Sequence, residues 1–423
     1  MRRFRRPPRP SSRYLEVLSE KGEWMKRSKL FGLVAILGAF ALVGAACGDD
    51  AETPEGPGAE GGDRSACTWV IGTMGALSGD YASVGQPIAD GVEYAINTAN
   101  EAERTQCTLE FTSEDSQGDP NQAPPLARNL VDNEELVAVI GPYFSGETLA
   151  TGKIFGQGGV LISGTGTNET IDEQGFTTWF RAVAPDNIQG SVAAEYIKSL
   201  GVSKVAVIHD NQDYSKGLAD AVEKGLGDIA QGGFIINPEE TDYSAVVADV
   251  ADYAPDFIFY GGYTPQAGPL AKQLKEAGVD ATFMTDDGSK DPTFGDLAGP
   301  AAEGALASCP CVDPLKIDAA SEFVSGMQAE YGENAPGTFA ADEFDVTELV
   351  IQALEAYEGD AADNEAVRAH VVEHFAGTEG YQGIAKSYSW NDDGEFEGGP
   401  GDIWIYKWEG NNFVSLGPAA DLI

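Results

Sequence analysis

The sequence predicts an α/β protein built from two doubly wound parallel-sheet lobes. Three observations predict it. Short β-branched runs alternate with helix-period patterns through most of the chain. The 423 residues exceed what one ordinary core organises. Two apolar runs pass straight into polar, tyrosine-bearing loops: Ala206-Val207-Ile208 into His209-Asp210-Asn211-Gln212-Asp213-Tyr214, and Phe257-Ile258-Phe259-Tyr260 into Gly261-Gly262-Tyr263. Loops at the carboxyl ends of strands are where open α/β sheets hold ligands.

In chain order, the expected strands fall at residues 69–71, 109–111, 137–140, 160–162, 205–208, 257–260 and 282–284. Between the first two, Ile88, Val92, Ala95, Ile96 and Ala99 recur at helical spacing. The strands are too continuously apolar to face water on either side, so helices must cover both faces of parallel sheets. A second series of strands and helices begins near Asn187, after Phe180-Arg181-Ala182-Val183-Ala184-Pro185, and the chain is expected to cross between lobes there.

The N-terminal region has the order of an export signal. Met25-Lys26-Arg27-Ser28-Lys29 precedes an apolar stretch from Leu30 to Val43, which is followed by Gly44-Ala45-Ala46-Cys47. The apolar stretch is shorter than the ~18 residues that a spanning helix requires. Residues 25–46 are therefore read as a signal peptide, and residues 1–24 upstream of it as a leader outside the fold. Cys47 after small residues resembles a bacterial lipoprotein cleavage site, which would make it the lipidated residue. Gly44 stands where such sites usually have a large aliphatic residue, which leaves ordinary cleavage after Ala46 open. Residues 48–65 hold no large apolar side chain, so residues 47–65 are expected to form a flexible tether.

The chain carries 26 Lys/Arg against 68 Asp/Glu. Residues 1–46 contain ten of the basic and three of the acidic side chains, so their removal leaves a net charge of −49. Such a field repels nucleic acid and net-anionic solutes, and it favours a zwitterion, cation or neutral ligand. Solubility or adaptation to high salt would also account for the excess. Four cysteines follow Cys47, an even number that suits disulfides in an exported chain. Cys67 and Cys107 each open an expected strand of one βαβ unit and are expected to pair. Cys309-Pro310-Cys311 is either a tight local disulfide or half of a metal site.

Several loops carry the candidate binding groups. Ala76-Leu77-Ser78-Gly79-Asp80-Tyr81-Ala82 follows the first strand but lacks both G-x-G-x-x-G and G-x-x-x-x-G-K-[ST], which argues against a nucleotide. Ile140-Gly141-Pro142-Tyr143-Phe144-Ser145 leads into a helix, with Ser145 expected at the N-cap. Helix N-termini present free N–H groups that suit a carboxylate. Ile162-Ser163-Gly164-Thr165-Gly166-Thr167-Asn168 is a second hydroxyl-rich strand end, and Phe283-Met284-Thr285-Asp286-Asp287-Gly288 places carboxylates at a third. His370 and His374 have the spacing of two metal ligands on one helical face, but no third ligand is evident from spacing, so a helix surface is the better account. Ser78, Ser145 and Ser163 lack a G-x-S-x-G context, which argues against a hydrolase. No metal or other cofactor is expected.

The two tyrosine-bearing segments, residues 206–219 and 256–263, resemble the leucine/isoleucine/valine-binding proteins, the type I periplasmic solute-binding proteins that deliver amino acids to ABC importers, and the resemblance covers roughly residues 66–410. The resemblance implies two lobes that close over a small solute without chemistry. It implies that the chain returns to the first lobe near Val312 and crosses again near Trp390, giving a three-crossing hinge. Lobe 1 is then residues 66–185 and 312–389, and lobe 2 residues 186–311 and 390–423. The family's α-carboxylate contacts map to Thr165 and Thr167 beside Ser145, and its ligand-loop tyrosines map to Tyr214 and Tyr263. Asp287 matches the acidic residue that pairs with the ligand ammonium, where the family often has Glu; adjacent Asp286 competes for the role. Tyr143 and Phe144 are bulkier than a leucine-binding member implies, whereas Val84 replaces an aromatic. The expected partners are a small amino acid, branched-chain in type, or a related amide, and a membrane permease. A monomer is expected. A sensor of the same fold and an enzyme are the alternative functions.

Overall fold

The computed structural model describes residue 64 and residues 67–423. The leader, the signal peptide, Cys47 and the tether lie outside the described residues.

The first sheet is built from β1 (Thr68–Gly75), α1 (Ala82–Glu101), β2 (Thr108–Asp115), α2 (Ala123–Val131), β3 (Leu136–Ile140), α3 (Ser145–Gln157), β4 (Leu161–Gly164) and β5 (Trp179–Arg181). Its strands are parallel and run β2-β1-β3-β4-β5. On α1, Ile88, Val92, Ala95, Ile96 and Ala99 are all buried, as the helical spacing requires. The five residues of β3 are buried on both faces.

The second sheet takes α4 (Asp186–Ser199), β6 (Val205–His209), α5 (Asp213–Leu226), β7 (Ala230–Ile235), α6 (Ser244–Tyr253), β8 (Phe257–Gly261), α7 (Thr264–Glu276), β9 (Thr282–Thr285), α8 (Thr293–Ala298) and β10 (Leu306–Cys309). The chain then packs α9 (Ser321–Tyr331), α10 (Ala340–Glu355) and α11 (Asn364–Ala376) against the first sheet and its helix α1. A small ribbon, β11 (Tyr381–Gln382) with β12 (Ser387–Tyr388), precedes the final hairpin of β13 (Trp404–Glu409) and β14 (Asn412–Pro418).

That hairpin adds an antiparallel edge to the expected parallel sheet. β13 pairs antiparallel with β10 and β14 antiparallel with β13, so the second sheet is mixed and runs β14-β13-β10-β9-β8-β6-β7. A tight turn at Gly410 and Asn411 joins β13 to β14, whereas a parallel connection would need a crossover of a dozen or more residues.

Three passages join the sheets: residues 182–185 between β5 and α4, residues 310–313 after β10, and residues 389–403. On the third, Trp390 still packs against Phe180 and Phe375 of the first sheet's side, and the second sheet resumes only at Trp404. Arg181, wholly buried, ties the first passage to the third. It binds both carboxylate oxygens of Glu395 at 2.7 and 2.9 Å, and its carbonyl accepts the Trp390 indole N–H at 2.7 Å. A buried guanidinium demands such a fork of acceptors. Disulfides join Cys67 to Cys107 across β1 and β2, and Cys309 to Cys311 on the second passage.

Candidate functional site

Strand order reverses between β1 and β3 in the first sheet and between β6 and β8 in the second. Loops leaving neighbouring strands at such a switch point splay apart and open a crevice. The candidate residues lie on loops and helix starts around these two crevices. Ser145, Thr165, Thr167, Tyr214, Tyr263 and Asp287 all line one cavity, with about 20 Å³ of room left in it, together with Val84, Tyr143, Phe144, Gly288 and Phe339. Both sheets contribute walls.

On the first side, Phe144 is the N-cap of α3, with an extended backbone, and Ser145 is the first helical residue. This corrects the expected N-cap. The Ser145 hydroxyl oxygen instead accepts the N–H of Asn168 at 3.2 Å, which stitches the α3 start to the loop after β4 and leaves the hydroxyl proton free to be donated. Thr165 donates its hydroxyl proton to the Tyr143 carbonyl at 2.9 Å, so only its oxygen lone pairs and backbone remain for a ligand. The Thr167 carbonyl accepts the Asp186 N–H at 2.8 Å.

On the second side, the β8 strand ends at Gly261, and Gly262 adopts φ of 154°. A Cβ at Gly262 would stand 2.3 Å from the Tyr260 hydroxyl, so only glycine lets the chain turn there and present Tyr263 at the N-cap of α7. Asp287 Oδ1 accepts the Tyr214 hydroxyl at 2.9 Å and the Gln189 side-chain N–H at 2.7 Å. Both of these donors take Oδ1, which leaves Oδ2 for a cationic group. Burial pushes the Asp287 carboxyl up to about 6. Asp286 is turned away: its Oδ2 accepts the Gly262 N–H at 2.7 Å, and burial followed by the Asp287 charge raises it well above the usual carboxylate range. The geometry therefore separates the two candidates, with Asp287 on the cavity and Asp286 bracing the loop behind it.

Other residues join the site without having been singled out. Gln189 sits one helical turn after Asp186 on α4, and both are buried; a polar pair at that spacing on an inward face was the available signal. Asp186 has no well-formed hydrogen bond to either carboxylate oxygen, and burial pushes it up to about 8, with the nearby Thr167 hydroxyl opposing the rise and the neighbouring Asp287 charge adding to it. Tyr81, from the loop after β1, meets Tyr263 at a ring-centroid distance of 5.2 Å and Phe144 at 6.0 Å. Phe339 has φ of 63°, an uncommon conformation for a non-glycine residue.

Contacts also span the cleft beyond the cavity. Asn168 donates to the Asp213 carbonyl at 2.6 Å, and Thr338 donates to the Lys290 carbonyl at 2.6 Å while accepting from Lys290 Nζ at 3.2 Å. The two sides are thus closed on each other. His370 lies away from the cavity, its Nε2 facing the Ala353 carbonyl at 2.9 Å and its ring 6.4 Å from that of His374. Among the described residues, no His/Cys/Asp/Glu group of three or more has a metal-holding arrangement, and no helix is long and apolar enough to cross a membrane.

Two α/β halves with facing switch-point loops around one buried cavity define a two-lobed small-ligand-binding protein. Residues 68–412 match the family model described as periplasmic binding protein, and the chain belongs to that family. An amino acid binding protein from Pseudomonas aeruginosa is 33% identical over 236 residues, covering 54% of this chain and 63% of that relative. The chain thus spans less than two thirds of that relative's length. The leucine-, isoleucine-, valine-, threonine- and alanine-binding protein of the same organism is 29% identical over 81% of this chain and 91% of its own. Among solved structures, a leucine-binding protein from Thermotoga maritima superposes with a TM-score of 0.73 at 22% identity, over 82% of this chain and 97% of that one. That likeness is one of fold, the type I periplasmic-binding-protein architecture.

Proposed function

We propose that this chain is an extracytoplasmic solute-binding protein that closes on a small α-amino acid, of the branched-chain class or a related amide, and presents it to the permease of an ABC importer. One observation carries the reading. Six residues from two sheets and five separate loops converge on one cavity, with hydroxyls and a helix N-terminus on one wall and an unpaired carboxylate oxygen with tyrosines on the other. That polarity matches a zwitterion. The free N–H groups at the start of α3, with Ser145, Thr165 and Thr167, take the ligand carboxylate. Asp287 Oδ2 takes the ammonium, and the Tyr214 and Tyr263 rings flank it with cation–π attraction. Binding and closure suffice for this role, without a catalytic step.

The names of the relatives support the ligand class: the second Pseudomonas aeruginosa protein is named for leucine, isoleucine, valine, threonine and alanine. The signal-like residues 25–46 and Cys47 support export and a lipid anchor. The decisive test of function is mass spectrometry of the solute that co-purifies, followed by titration calorimetry across amino acids, amides and urea. Turnover of the bound solute would sink the receptor reading. For the anchor, a palmitate analogue should label the wild type and spare Cys47→Ala; an unlabelled wild type would refute lipidation.

A further inference from the structure

The aromatic side chains around the cavity touch one another. Phe144 lies 5.3 Å from Tyr263 between ring centroids, Tyr81 lies 5.2 Å from Tyr263, and Tyr214 lies 5.1 Å from Tyr263. These are contact distances for aromatic pairs, so no gap for an alkyl group exists between the rings. Phe144 and Tyr81 come from the first side of the cleft and Tyr263 from the second. The cluster is therefore completed by closure itself.

The two bulky residues after Pro142 have different consequences. Tyr143 is directed under the first sheet: its ring lies where a Cβ on Gly75 would stand, 1.9 Å away, and its hydroxyl bonds Thr73. The glycine of β1 absorbs its volume. Phe144 has no such recess. Its backbone is held extended at the α3 N-cap, and its ring ends on the Tyr81 and Tyr263 rings at the cavity wall. Val84 is the one small side chain on the apolar wall, and Phe339 stands with it. The closed cavity leaves only about 20 Å³ of room, far below the ~300–1,000 Å³ of drug-sized ligand pockets, so any ligand displaces the wall and each added methylene of its side chain adds to that displacement.

Resting on the α-amino-acid part of the reading above and departing from its branched-chain class, we propose that Phe144 is the specificity-determining residue of the site and that the ligand is an α-amino acid with a short side chain, of glycine, alanine or serine size. A leucine or isoleucine side chain would have to pry the Phe144, Tyr81 and Tyr263 rings apart. A close-packed wall accommodates added methylenes poorly. Removing the Phe144 ring opens the space that a longer aliphatic chain needs.

The test is titration calorimetry of the purified protein, dialysed free of solute, with glycine, L-alanine, L-serine, L-valine and L-leucine, on wild type, Phe144→Leu and Phe144→Ala. In the wild type the tightest of glycine, alanine and serine should bind at least tenfold more tightly than leucine. Phe144→Ala should shift the leucine-to-alanine ratio by at least tenfold toward leucine, with Phe144→Leu intermediate. Leucine binding as tightly as alanine in the wild type overturns the proposal and leaves the amino-acid reading intact, and this arm needs no variant to fold. An unchanged ratio in a cooperatively melting Phe144→Ala also overturns it. Silence with all five amino acids, from protein that melts cooperatively, overturns the amino-acid reading and this proposal together.

Discussion

Replacing Asp287 with Asn should act on binding and on stability in opposite directions. The substitution keeps the side chain's shape and an acceptor oxygen for Tyr214 and Gln189, which bond Oδ1 at 2.9 and 2.7 Å, so the loop need not move. What it removes is the charge. Without ligand that charge is a burden: the carboxyl is pushed from 3.8 up to about 6 by burial. A folded-state value above the unfolded one favours the fold fully below about pH 4, and that contribution is lost as pH rises through about 6. Burial of that charge opposes the fold near neutral pH, and Asn should relieve it and raise Tm. With an ammonium ligand the charge is the main attraction, and its loss in a closed site should cost about 2–5 kcal/mol of affinity. Calorimetric titration and thermal melts at pH 7, each on wild type and Asp287→Asn, read the two quantities separately. Unchanged affinity would remove Asp287 from the ligand's ammonium. Weaker binding together with a lower Tm would show a damaged loop rather than a lost charge.

Ser145→Ala and Thr167→Ala should each weaken binding by about 1–3 kcal/mol by calorimetry, through lost hydrogen bonds to a carboxylate. Ser145→Ala should also lower Tm, because the Asn168 N–H loses its acceptor; an effect on Tm alone would make Ser145 purely structural. Asp186→Asn should leave Tm near the wild-type value at about pH 4 and raise it increasingly toward about pH 8, since a carboxyl pushed up to about 8 loses its stabilising contribution across that window. A pH-independent Tm difference would mean that Asp186 does not titrate there. Saturating ligand should reduce the radius of gyration in small-angle scattering, because Ser145, Thr165 and Thr167 face Tyr214, Tyr263 and Asp287 across the cleft. An identical radius with tight binding confirmed in the same sample would refute closure.

The strand-to-loop junctions were legible because they obey local rules. Apolar runs of about five residues ending in polar, glycine-bearing loops mark buried parallel strands and their ligand ends, and the residues singled out on those loops line one cavity. Edge strands were not legible. β7 contains Gly232 and Gly233 and is half exposed, so its pattern lacks the continuous apolar signal of β6 and β8. Trp179-Phe180-Arg181 carries a buried charge whose partner, Glu395, lies 214 residues away, and no local rule joins them. The residues alone did not separate Asp286 from Asp287, since both occupy one strand end, and only the family resemblance favoured Asp287. The tight turn of residues 287–289 decides it by aiming one carboxylate at the cavity and the other at Gly262. Tyr143 and Phe144 add bulk where Val84 removes it, and the sequence does not show which bulk faces the cavity; the Tyr143 ring rests on Gly75, whereas the Phe144 ring meets Tyr81 and Tyr263.

Charge links the surface to the cleft. Asp287 on the second wall and Asp186 and Asp286 near it are all buried, and among the described residues none has a cation within ion-pair distance. Lys290, the nearby cation, is itself pulled down to about 8 by burial and bonds Thr338 across the cleft. Closing an empty cleft therefore leaves a cluster of carboxyls that must either hold protons or bear uncompensated charge in a low-dielectric interior. A ligand ammonium, as proposed above, would supply the missing charge at Asp287 Oδ2 without requiring a proton. Neutral or anionic solutes cannot do so, however well they fill the cavity. Were the ligand's ammonium to sit at Asp287, selection for a cationic end would be a property of closure, because only a differential affinity for the closed state can shift the balance between open and closed.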